Sequence, residues 1–231
     1  MQLNRNITIT VNFILDHLLP PLLRDSRWFM VPVFRLLFGK KAKYYLAFKD
    51  QLPTLSDSQI NDYYEILADT FINRDTDLNR ESIAYISQHV IGDHVLDVAS
   101  GRGFLSEKLA RQGHQLAGVD IRHSNDKRNS SNPFYIIAGI TQLPFPENHF
   151  DTVVCAHTLE HIRDIPQAIS EIRRVCKKRL IIVVPCQREY KYTFDLHIHF
   201  FPYEYCLRQL VGTAGDIVKV GGDFIFTENL S

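Results

Sequence analysis

VLDVASGRGFLSEKLA, residues 95–110, decides the fold class of this 231-residue chain. Val95–Val98 is an apolar run interrupted by one acid, Asp97. Ala99-Ser100-Gly101-Arg102-Gly103 is too small and too glycine-rich for a regular element and forms a tight turn. From Phe104 to Ala110 the spacing turns helical, with Leu105 and Leu109 on one face. A strand, a glycine turn and a helix in that order bring backbone N–H groups close to a polar ligand at the start of the helix. The acid at the strand end selects among ligands, because a carboxylate there repels a pyrophosphate and attracts an ammonium group.

A second acid narrows the choice. Gln115–Asp120 (QLAGVD) reads as the next strand and ends in Asp120, placed to accept hydrogen bonds from the two hydroxyls of a ribose. A ligand with an amino-acid end at Asp97 and a ribose at Asp120 is S-adenosylmethionine. With these residues and with LPFPENHFDTVVCAHTLEHIRD (143–164), the chain resembles the class I S-adenosylmethionine-dependent methyltransferases of the small-molecule type, from about Asn79 onward. The resemblance implies a Rossmann-like, seven-stranded, mostly parallel sheet with helices on both faces. It also implies that Asp97, Ala99, Ser100, Gly101 and Gly103 hold the methionine end of the cofactor, Asp120 the ribose and Ile121 the adenine. Many relatives place Asp or Asn after the third strand, where this chain has Gly139. Adenine recognition is then expected from the backbone of Ile140, or from Thr141 and Gln142. Cys155 and Ala156 end the fourth strand and are expected to floor the cleft beside the transferred methyl group.

From Asp93 onward short apolar runs alternate with helical patterns: strands at His94–Val98, Gln115–Asp120, Pro133–Ala138, Phe150–Ala156 and Arg179–Val184, and helices at Arg102–Gln112, Pro166–Cys176 and Tyr203–Val211. This alternation predicts a parallel sheet covered on both faces. Asp216–Val220 and Asp223–Thr227 predict an antiparallel edge hairpin across Gly221-Gly222. Residues 1–78 read as a mainly helical lid and acceptor-binding segment, and 79–231 as the methyltransferase core. In the first part Thr8–Leu19 is expected to be one helix stopped by Pro20-Pro21, Ser56 caps a second, and Asn79 or Thr76 caps a third that Gly92 ends.

Lys and Arg number 26 and Asp and Glu 26, so no overall charge demands nucleic acid. Residues 1–49 nevertheless hold eight basic side chains against two acids, a net of +6 that leaves the remainder at −6. None of the four cysteines stands in a CxxC pair, so neither a zinc site nor a disulfide framework is indicated, and no metal is expected. No signal-peptide pattern opens the chain, and the longest apolar stretch, Trp28–Phe38, is too short to span a bilayer. The expectation is a cytoplasmic protein. Trp28–Lys49, aromatic and lysine-rich, reads either as an apolar lid or as a peripheral contact with membrane or a lipid-linked substrate.

An alcohol acceptor must lose a proton as it is methylated, and a histidine takes one near neutral pH. His157, at the end of the fourth strand, is the first candidate base, and His161 and His199 follow. Were Asp195–Phe201 extended, His197 and His199 would share one side, with Asp195 as an orienting carboxylate. The expected reaction is methyl transfer to a small-molecule acceptor, a hydroxyl of a sugar, a lipid-linked intermediate or a secondary metabolite. The rivals are a nicotinamide-dependent oxidoreductase, whose third glycine is here Ser106, and a non-catalytic cofactor-binding module.

Overall fold

The computed structural model describes residues 18–67, 75–122 and 132–230, and the chain forms two compact units. The helix expected over Thr8–Leu19 lies, up to residue 17, outside the described residues.

The second unit, Asp75–Cys186 with His199–Ser231, carries the sheet. Its elements include α5 (Arg80–His89), β1 (His94–Val98), α6 (Phe104–Arg111), β2 (Gln115–Asp120), β3 (Phe134–Ile137), β4 (Phe150–Ala156), α7 (Ile165–Val175), β5 (Cys176–Pro185), α8 (Glu204–Val211), β6 (Gly215–Val220) and β7 (Asp223–Asn229). The seven strands run in the order β3-β2-β1-β4-β5-β7-β6. β3, β2, β1, β4 and β5 are mutually parallel, while β7 is antiparallel to β5 and β6 to β7. The expected seven-stranded, mostly parallel sheet is therefore present, and β1 and β4 are the neighbours from which the strand order runs out in both directions.

Strand alternation splits the core into two layers. Leu96, Val98, Val153, Leu180 and Ile182 pack with α7 and α8, whereas Val95, Val154, Ile181 and Val183 pack with α5 and α6. Continuous apolar strands thus have both faces covered, as the composition of a parallel sheet requires. α5 is capped by Asn79, whose Oδ1 accepts from the Ser82 N–H at 2.8 Å, and α7 by Asp164, which accepts from the Gln167 N–H at 3.0 Å. α6 begins two residues later than its pattern predicts because Gly103 sits in the left-handed region at φ 70, the conformation that turns the chain into the helix. β5 begins three residues earlier than expected, since α7 runs directly into it and Cys176 already pairs with Phe150.

The first unit, Met1–Arg74 with Gln187–Ile198, contains α1 (Pro21–Arg24), α2 (Arg27–Phe38), α3 (Ala42–Gln51) and α4 (Asp57–Leu67). Ser56 caps α4 through a reciprocal pair: its N–H donates to Gln59 Oε1 at 2.8 Å and its Oγ accepts from the Gln59 N–H at 3.3 Å. Met30, Phe34, Tyr45, Phe48 and Leu67 form a core with Tyr192, Phe194 and Leu196. The Phe34 and Phe194 rings stack 4.6 Å apart, and Arg24 Nη2 donates to the Glu189 carbonyl at 2.9 Å. The stretch between β5 and α8 is thus packed as part of the helical unit, although it lies far from those helices in sequence.

Candidate functional site

The turn after β1 is shaped by three alternate left-handed residues, Ala99 at φ 55, Gly101 at φ 52 and Gly103 at φ 70. For Ala99 that conformation costs about 1 kcal/mol or more, a strain concentrated where ligands are bound. The turn is pinned from both sides. Ser100 N–H donates to the Val119 carbonyl at 2.9 Å, Gly103 N–H to the Ser100 carbonyl at 2.7 Å, and Gly101 N–H to Asp120 Oδ2 at 2.8 Å. Asp120 Oδ1 also accepts from the Arg122 N–H at 3.1 Å. Burial raises the Asp120 carboxyl above its usual range, with the Gly101 and Arg122 N–H groups opposing the rise. Asp97 is buried and accepts the Ser106 hydroxyl at 2.5 Å, which ties the end of β1 to the first turn of α6. Close approach of β2 depends on Gly118, where an added Cβ would lie 2.4 Å from the Tyr135 ring and 3.0 Å from Ser100 Oγ.

The space above this turn is open. A Cβ built at Gly101 or at Gly139 meets nothing within 4 Å, and Ile121 at the end of β2 is 48% exposed. Ile140 is buried, with its side chain packed in the α7-side core.

A second group of polar side chains surrounds the end of β4. His157 takes the left-handed conformation at φ 49, and its N–H donates to the Val183 carbonyl at 2.9 Å. Its Nε2 lies 3.2 Å from Asp223 Oδ1, an ion-pair contact outside hydrogen-bond geometry. Asp223 Oδ2 meanwhile accepts Asn79 Nδ2 and Ser82 Oγ, each at 2.7 Å. Burial alone would lower the His157 pKa; the carboxylates of Asp223, Glu160 and Asp77 outweigh it and hold it up at about 9. The Leu159–His161 turn follows, with Glu160 completely buried and neither of its carboxyl oxygens hydrogen-bonded. Burial pushes Glu160 up to about 7, with the His157 charge opposing part of the rise. The main chain of His199 docks on the same turn, its N–H donating to the Glu160 carbonyl at 3.0 Å, and the His161 N–H closes the turn on Thr158.

Three comparisons with known proteins bear on this site. Residues 96–184 match the family described as methyltransferase domain. The chain is 35% identical over 106 residues to the ubiquinone/menaquinone biosynthesis C-methyltransferase of Psychromonas ingrahamii, covering 40% of this chain and 42% of that protein. It is 32% identical over 109 residues to the ubiquinone biosynthesis O-methyltransferase of Coxiella burnetii, covering 43% and 47%. Residues 96–184 are a methyltransferase domain of the class I fold. The match spans less than half the length of these curated relatives. A S-adenosylmethionine-dependent methyltransferase from Aquifex aeolicus shares the fold, with a TM-score of 0.54 at 17% identity over 77% of this chain and all of that one.

S-adenosylmethionine is the cofactor of this class, and the residues around the β1 turn fit it. The methyltransferase domain offers a buried acid at the end of β1, a partly buried acid at the end of β2, open space over Gly101 and Gly139, and an exposed aliphatic side chain at Ile121. Asp97, Ala99, Ser100, Gly101, Gly103, Asp120 and Ile121 are brought together at adjoining strand ends. Cys155 requires correction. Its side chain is wholly buried in the α7-side core and burial drives its thiol up to about 12, so it is an inert packing group rather than a cofactor contact. Ala156, the next residue, is partly buried and packs against the opposite core layer.

The base expected at His157 also meets a physical objection, since a histidine held at about 9 already carries its proton at neutral pH. Asp195–Phe201 is not extended either: Leu196 at φ 54 breaks the alternation. His197 Nδ1 lies 2.7 Å from Gln187 Oε1, within the helical unit, while His199 belongs to the second unit. Sequence reasoning passed over Glu160, Asp223 and Ser82, and read Asn79 only as a helix cap. Glu160 stood beside a histidine already singled out, but the signal that marks it, complete burial without a partner, exists only in three dimensions.

Proposed function

We propose that this chain transfers the methyl group of S-adenosylmethionine to the hydroxyl oxygen of a small acceptor. The reading rests on the paired acids of β1 and β2, joined through the glycine turn by the Gly101 N–H to Asp120 Oδ2 bond at 2.8 Å. A pyrophosphate-binding turn has no use for the buried carboxylate of Asp97, which disfavours a nicotinamide cofactor. When bound, the cofactor supplies an already activated methyl group on a sulfonium sulfur, so the protein's main contribution is to position the acceptor.

Within this reading Glu160, whose carboxyl oxygens are fully buried, takes the acceptor's proton once acceptor binding opens the Leu159–His161 turn over it. Its pKa of about 7 lies near operating pH, where a general base is most effective, and neither oxygen is spent on a protein donor. His157 keeps its own proton on the ring, paired with Asp223, and its charge favours the ionised Glu160 before transfer. A base of this strength suits an acidic hydroxyl, such as a phenol with a pKa of about 10, better than a sugar alcohol. The two quinone-biosynthesis relatives are named for transfer to carbon in one case and to oxygen in the other, so they support a small-molecule acceptor without choosing the atom.

Calorimetric titration with S-adenosylmethionine tests the cofactor, with loss of binding expected in Asp97→Ala and Asp120→Ala. A panel of catechols and sugars, followed by mass spectrometry, tests the acceptor. Undiminished affinity in both variants, or saturable binding of NADH instead, overturns the reading. Cofactor binding without product across the panel identifies a binding module rather than an enzyme.

A further inference from the structure

Helix α2 carries large apolar side chains on its exposed side as well as on its packed side. Met30 and Phe34 are fully buried, while on the other side Trp28 is 72% and Leu36 84% exposed. Trp28, Pro32 and Leu36 follow at intervals of four and so line one face, with Arg35 between them. Exposed tryptophan and leucine on one helix face are unusual for a surface meant only for water. Residues 27–49 hold six lysines and arginines and no acid, and the flanking Asp25 and Asp50 lie against Arg24 and Lys191. Three of the six have partners inside the unit: Lys41 Nζ donates to the Ile66 carbonyl at 2.6 Å, Lys49 Nζ lies 3.6 Å from Glu189 Oε1, and Lys43 Nζ lies 4.9 Å from the centre of the Tyr44 ring. Arg27, Arg35, Lys40 and Lys43 are exposed.

We propose that this face of α2 docks on a bilayer surface bearing anionic lipids. Trp28 and Leu36 enter the boundary between headgroups and acyl chains, and Arg35, Lys40 and Lys43 lie at the phosphates. Indole is well suited to that boundary, and lysine and arginine are drawn to an anionic leaflet. The helix lies in the surface plane; among the described residues no helix is long and apolar enough to cross a membrane. Charge argues against a second copy as the occupant, because a symmetric contact would bring two cationic patches together. Polarity argues against nucleic acid, because Pro32 and Leu36 would be set against a charged phosphate backbone that offers them no apolar partner. The proposal does not depend on the methyl acceptor.

Co-sedimentation of the full chain with vesicles of phosphatidylcholine alone, and with phosphatidylglycerol added, tests it. Binding is expected only to the anionic vesicles and is weakened by salt. Trp28→Ser with Leu36→Ser abolishes it, and Lys40→Gln with Lys43→Gln weakens it on the order of twentyfold. Tyr205→Ser, at an exposed aromatic site in the other unit, leaves it unchanged. Circular dichroism and S-adenosylmethionine affinity identify any variant that has failed to fold, and Leu36→Ser alone then serves in place of the double variant. Absence of binding by the wild type, or binding that survives the apolar variants, overturns the proposal. So does a concentration-dependent dimer in vesicle-free solution that Trp28→Ser and Leu36→Ser dissolve while vesicles go unbound.

Discussion

Replacing Glu160 with glutamine stabilises the protein at alkaline pH while removing the proton acceptor proposed above. The carboxyl is completely buried without a hydrogen-bond partner, and burial raises it from 4.5 to about 7. An acid whose folded pKa exceeds its unfolded one holds its proton more tightly in the fold. Its contribution to stability is therefore full below about 4.5 and is lost as pH climbs through 7. The buried charge then costs about 1 kcal/mol at pH 5 and about 3 kcal/mol at pH 8. Glutamine keeps the shape and carries no charge. His157, Asp77 and Asp223, the charged neighbours, remain in both proteins, although His157 loses an attractive partner and returns part of the gain. Urea unfolding of wild type and Glu160→Gln should give a stability advantage for the variant of about 2 kcal/mol at pH 8 and well under 1 kcal/mol at pH 5. Methyl transfer to the acceptor should fall with the same substitution, a trade of stability for activity common at buried functional charges. An advantage equal at both pH values, or a variant less stable at pH 8, would refute the reasoning.

Two further outcomes follow from particular contacts. In Gly118→Ala the new methyl meets the Tyr135 ring at 2.4 Å and Ser100 Oγ at 3.0 Å, so thermal unfolding should show a loss of about 1–3 kcal/mol and calorimetry a weaker hold on the cofactor. Asp151 accepts the Asp93 and His94 N–H groups and faces Lys178 Nζ at 2.8 Å, an interaction that holds its carboxyl down at about 2. An acid lowered in the fold stabilises above its unfolded pKa and loses that contribution as pH falls through 2, so Asp151→Asn should cost about 1 kcal/mol at pH 7, discounted for the half-exposed Lys178, and only a small part of that at pH 2 in urea titrations.

The sheet was legible in the sequence because its information is local. β1, β2 and β4 run His94–Val98, Gln115–Asp120 and Phe150–Ala156, the same bounds that the apolar runs indicate, and a parallel strand buried on both faces leaves little choice of conformation. The ligand turn was legible for the same reason, since glycines, small residues and strand-end acids are fixed by backbone geometry. Side-chain direction was not legible at Cys155, which sits on the core side of β4, because a run apolar at every position carries no alternation to show which way each residue points. Nor was the packing of Gln187–Ile198 with the N-terminal helices, which depends on Phe194 finding Phe34 across most of the chain.

By itself, then, the sequence determined the fold class, the cofactor turn and the pairing of Asp97 with Asp120. Only the tertiary structure shows how differently the two titratable groups at the end of β4 are surrounded. His157 and Glu160 are near neighbours in sequence, yet Asp223, brought in from β7 with Asn79 and Ser82 behind it, holds the proton on one while burial without partners raises the other to about 7. A pKa is set by desolvation and by charges gathered from distant parts of the chain, and neither is written at the residue itself.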